Sequence, residues 1–134
     1  MGFINRIRPK LIGLIILLSI VHFSFGGDEP VIPENMSLYF MGIIRRGTHW
    51  TPESTPQIEE LQKSHLENIQ KMAETGQLVL AGPFIDDGDI RRIYIFKVNT
   101  MEDVRRLADT NPMVKAGRLV VEIHPWIIEK GFLP

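Results

Sequence analysis

His65 is the residue from which chemistry would start. Ile58, Leu61, His65, Ile69 and Met72 follow the 3.6-residue repeat, so the imidazole shares the apolar stripe of a helix expected over residues 56–75. A histidine held there titrates near neutral pH and can serve as a general acid or base. A core histidine satisfied by a backbone carbonyl gives the same pattern, and spacing leaves both readings open. Ser64 is no partner for it, because adjacent helical residues point about 100° apart. The opposite face carries Glu59, Lys63, Glu67 and Lys71, two i,i+4 pairs in the favourable order.

Other groups stand as further candidates. Arg45, Arg46, His49 and Trp50 follow the first expected strand and could clamp an anionic or aromatic ligand; Arg45 offers a planar fork for a carboxylate, with Phe40 and Trp50 as pocket walls. They read equally well as a solvated turn. Pro83 closes the strand after the helix and lies near His65 in this reading. Asp86-Asp87-Gly88-Asp89 lacks the spaced acids and terminal Glu of a calcium loop and reads as a hairpin turn. Glu122 and His124 share a strand face, as a metal pair or as an interface or rim pair; no metal site and no cofactor are expected.

Composition narrows the classes. The chain has 134 residues and no cysteine, which removes thiol nucleophiles and disulfides. Its formal net charge is −1 with no basic run, so nucleic acid is not an expected partner. The first 26 residues differ from the rest: Arg6, Arg8 and Lys10, then the apolar Leu11–Phe25, then the small residues Ser24 and Gly26. This is the pattern of a secretory signal peptide cleaved after Gly26. The apolar run is shorter than the roughly 20 residues a spanning helix needs, so membrane attachment is expected only if the signal stays uncleaved. A secreted or periplasmic location follows. Cleavage would leave a formal charge of −4.

Residues 27–35 form an extended, proline-bearing leader, and residues 36–130 a single domain. Strands are expected at 36–45, 78–84, 91–97 and 119–126. Thr55 or Thr51 caps the first helix and Gly76 ends it; a second helix runs from Asn99 or Thr100 to Asp109, and one further turn covers 113–116. The order β-α-β-β-α-β is the ferredoxin-like α+β arrangement, a four-stranded antiparallel sheet with both helices on one face. The first and third strands are apolar on both faces, so a homodimer packed through the sheet faces is expected.

Ser64-His65-Leu66, LVLAGPF at 78–84 and NPMVKAGRLVVEIHPW at 111–126 resemble the YCII-related (YciI-like) family over roughly residues 36–126. The resemblance implies a dimeric α+β barrel on the ferredoxin-like fold, and an active site in which a helix histidine, here His65, pairs with an aspartate. The family commonly places that aspartate directly before a proline, where this chain has Asn111; Asp109 would replace it only if the turn were remodelled. Most members have no known activity. A few relatives are similar to enzymes that eliminate chloride from aromatic-ring intermediates, and neighbouring barrel families include isomerases and monooxygenases. Members mostly look cytoplasmic, so a signal is a departure.

Two functions are therefore expected. One is a cofactor-free lyase, isomerase or hydrolase in which His65 moves a proton on a small organic molecule and Asn111, Asp109 or Arg45 orients it. The other is a non-catalytic secreted ligand-binding or scaffold homodimer with a structural His65.

Overall fold

Strand β1 (Met36–Arg46) lies at the centre of the sheet, with β3 (Ile90–Phe96) antiparallel along one edge and β4 (Leu119–Glu129) along the other. Strand β2 (Leu78–Pro83) pairs outside β3, giving the order β2-β3-β1-β4. Helix α1 (Pro56–Glu74) joins β1 to β2; α2 (Met101–Asp109) and the one-turn α3 (Pro112–Lys115) join β3 to β4. This is the ferredoxin-like topology. A computed structural model describes residues 31–134. The signal expected at 1–26 and the first residues of the leader lie outside the described residues. Among these, no helix is long and apolar enough to cross a membrane.

Local chemistry sets the helix boundaries. Thr55, not Thr51, caps α1: its Oγ1 accepts the Ile58 N–H at 3.3 Å, and Pro56 occupies the first turn, where its missing N–H costs nothing. Gly76 follows the Thr75 C-cap at φ 74°, a conformation that glycine adopts without strain. The Thr100 hydroxyl caps α2 by accepting the Asp103 N–H at 3.1 Å. Asn111, extended as residues before proline prefer, caps α3.

The pleat of β1 sends Phe40 and Ile44 towards the helices. There they meet Tyr94 and Phe96 of β3, Met72 of α1, Val104 of α2 and Met113 of α3 in one apolar core. Tyr94 and Phe96, two apart on β3, stack edge to face with centroids 5.7 Å apart. Strand β4 runs three residues beyond the expected Trp126 because it pairs along the whole of β1, from Arg46↔Leu119 to Met36↔Glu129. Pro125 does not interrupt it, since an edge strand tolerates a missing N–H.

The other sheet face carries Met41 and Ile43 of β1, Ile93 and Ile95 of β3, and Val120 and Trp126 of β4. It is partly covered by the chain itself. The Tyr39 hydroxyl donates to the Pro134 carbonyl at 2.8 Å, and the Tyr39 side chain is buried. Val120 remains half exposed.

Candidate functional site

His65 sits on the buried stripe of α1 with 1% of its surface exposed, between α1 and the turn that opens α3. Its Nδ1 lies 3.0 Å from Asn111 Oδ1. The same oxygen accepts the Met113 backbone N–H at 3.0 Å. That second bond identifies the atom, because a backbone N–H requires an acceptor. The His65 Nδ1 must then donate, so the neutral ring carries its proton on Nδ1 and presents Nε2 as a lone pair. Nε2, on the other side of the ring, has no protein partner among the described residues, and His65 is one of the residues that line the adjacent cavity.

That cavity, about 490 Å³, lies between the first half of α1, the 50–54 loop and the ends of β2, β3 and β4. Trp50, Ile58, Pro83 and Leu119 form apolar wall; Arg92 and Arg118 bring charge. Gly47 positions the loop, with its N–H bonded to the Arg118 carbonyl at 2.8 Å. A Cβ there would meet the Gly117 carbonyl oxygen at 2.2 Å, so only glycine permits the approach. Arg118 ties the loop from the other side, donating to the Thr51 carbonyl at 2.8 Å and the Thr51 hydroxyl at 3.0 Å. The Arg46 guanidinium covers one face of Trp50, 3.9 Å from its centroid.

Burial, the largest cause, holds the His65 imidazole below its ordinary pKa; the Asn111 bond opposes this and the Arg92 charge adds to it. Burial, the largest cause, pushes the Tyr94 phenol up, and the nearby Arg92 charge opposes it. The Tyr94 hydroxyl and Asn111 Nδ2 are both enclosed without a hydrogen-bond partner. His65, Asn111, Tyr94 and Arg92 thus form a polar group where the hydrophobic pattern would place core, at a cost to stability.

His65 and Asn111 are in direct contact, and Trp50 and Pro83 line the same cavity. The other expected residues lie elsewhere. Asp109 ends α2 exposed and lines a separate groove with Arg105 and Val120, so it cannot take the place of Asn111; the turn is not remodelled, and Asn111 makes the contact itself. Arg45 points to the opposite sheet face, paired with Glu122 at 3.0 Å and Asp89 at 3.2 Å. Phe40 is buried under the helices in the middle of the central strand and does not line this cavity. Glu122 binds His124 at 2.8 Å as an exposed pair, and no cluster of three metal-ligating side chains occurs among the described residues. Sequence reasoning missed Arg92 and Tyr94. The signal was present: two residues apart on β3, they share the helix-facing side with Phe96, and a charge there is out of pattern.

Fold and site together define a ferredoxin-like α+β domain with a buried histidine–amide pair beside an open cavity. The chain belongs to the family of the YCII-related domain, whose model matches residues 46–127. No curated protein matches it. Among solved structures it is similar to 5-chloro-2-hydroxyhydroquinone dehydrochlorinase (TftG) of Burkholderia phenoliruptrix, determined with 2,5-dihydroxybenzoquinone. The identity is 17%, over 67% of this chain and 93% of that one, with a TM-score of 0.49. It is also similar to a structural genomics target from Agrobacterium tumefaciens, at 19% identity over 73% of this chain and 98% of that one, with a TM-score of 0.38.

A folded-state pKa below the unfolded value means that the unfolded chain binds the extra proton first. The His65 contribution is therefore fully present above the unfolded value of about 6.5 and is lost as pH falls through the window below it. Urea unfolding between pH 7.5 and 5 should show stability falling with pH, and His65→Gln should flatten that slope. An unchanged slope in the variant would contradict a buried neutral His65.

Proposed function

We propose that this chain is a small cofactor-independent enzyme that moves a proton on a small organic molecule, with His65 Nε2 as the general base. The observation that carries this reading is the shared Asn111 Oδ1, which ties the His65 proton to Nδ1 and leaves the lone pair towards the cavity. In the step proposed, Nε2 takes a proton from a carbon next to a carbonyl, and the electron pair of that C–H bond moves into the carbonyl to give an enolate. Where a double bond is conjugated with the enolate, return of the proton to the far, γ-carbon shifts the double bond and completes an isomerisation. Where the β-carbon carries a leaving group, its departure with the bonding pair leaves an α,β double bond, re-forms the carbonyl and completes an elimination. A base with a depressed pKa is weaker but stays unprotonated at neutral pH.

The direct test is solvent exchange. Small carbonyl compounds are incubated with the protein in D₂O, and the loss of C–H signals is followed by NMR. The parent should exchange at least one compound, and His65→Gln should slow it by about 10²–10⁴-fold. Equal rates in parent and variant would remove His65 as the base.

The second reading, a non-catalytic binding domain, is favoured by one observation: Asn111 is an amide and gives an imidazolium no counter-charge. Exchange of no compound, with ligands still bound, would select it. Under either reading we propose a homodimer through the outer sheet face, supported by Met41, Ile43, Ile93 and Val120 there. Size exclusion with light scattering should give twice the chain mass; a stable monomer would contradict it.

A further inference from the structure

Three guanidinium groups and two carboxylates line the cavity, and most are already engaged or exposed. Arg118 is tied to the 49–51 loop, Arg91 donates to the Asp86 and Gly88 carbonyls at 2.9 Å, and Glu59 accepts from Ser54 at 2.9 Å. Glu53 is exposed on the loop. Arg92 differs. It is half-buried on the helix-facing side of β3, opposite Ile44 on one neighbouring strand and Pro83 on the other. Among the described residues it makes no ion pair. A guanidinium keeps its charge at any working pH, and a partly desolvated charge without a counter-ion is costly. The group that relieves the cost is an anion.

Resting on the reading of His65 as a base, we infer that Arg92 is the specificity-determining residue of the cavity: it anchors the carboxylate of a small organic acid whose apolar body lies against Trp50 and Ile58, with its reacting carbon at His65. A planar carboxylate matches the guanidinium fork with two parallel hydrogen bonds. The anchored anion also has an effect that Asn111 cannot have. The Arg92 charge disfavours a proton on His65, and a carboxylate seated on Arg92 cancels that charge, so occupancy raises the proton affinity of the base.

The test uses benzoate and its neutral isostere benzamide, titrated by NMR into the full chain. Benzoate should bind at least tenfold more tightly than benzamide. Arg92→Gln should weaken benzoate by about 10- to 100-fold, the range of a hydrogen-bonded charged group, and weaken benzamide, which has only a neutral carbonyl acceptor, far less. In the parent, saturating benzoate should move the His65 titration to higher pH; in Arg92→Gln it should not. Equal affinity of the two probes, no saturable benzoate binding, or parent-like benzoate binding by Arg92→Gln would each overturn the inference. If Arg92→Gln fails to fold, the benzoate-to-benzamide ratio of the parent decides alone. Benzoate has no proton on a carbon next to its carboxyl group, so its binding is read independently of turnover. Failure here with His65-dependent exchange intact removes only the anion anchor. Failure of exchange with benzoate binding intact removes only the base.

Discussion

One oxygen, Asn111 Oδ1, accepts two hydrogen bonds that hold the site in place. The bond from Met113 N–H starts the one-turn helix α3; the bond from His65 Nδ1 ties α1 to that turn. Position and protonation of the imidazole thus depend on the same atom that caps a helix. Neither bond is open to water, since both side chains are almost wholly buried. Enclosed bonds of this kind are costly to break, because each loss leaves a buried polar group without a partner.

The helix periodicity made His65 legible as a buried residue of α1, and strand alternation made the faces of the sheet legible. The topology followed from element order alone. Partner choice did not. Asp109 is two residues from Asn111 in sequence, but it ends an α-helix and lines an exposed groove, while Asn111 is extended before Pro112 and its side chain is buried against His65. Arg45 follows the alternation of β1 to the outer face, where Glu122 and Asp89 hold it. Phe40 was misplaced because a pocket wall and a core position look alike in sequence; only the central place of β1 separates them. Asn111 looked like a defect in the histidine pairing. Its amide oxygen serves as an orienting acceptor just as a carboxylate does, and what it lacks is the charge.

That missing charge shapes the rest of the site. Burial and Arg92 both disfavour a proton on His65, and the neutral Asn111 offsets them only through its hydrogen bond. The free protein therefore holds an unprotonated imidazole facing a cavity with a guanidinium beside it. The enclosed Tyr94 hydroxyl and Asn111 Nδ2, both without partners, belong to the same neighbourhood. Polar groups left unsatisfied in this way run against the apolar pattern around them, and such conflicts concentrate where a fold does chemistry or binds.

The central claim is that neutral His65 carries its proton on Nδ1 and offers Nε2 to the cavity. The most direct measurement is the tautomer of that ring, from the ¹⁵N shifts of the two imidazole nitrogens at pH 7.5. The structure predicts a protonated, pyrrole-like Nδ1 and an unprotonated, pyridine-like Nε2, with both assignments lost in Asn111→Ala. A ring protonated on Nε2, or doubly protonated at that pH, would contradict the account.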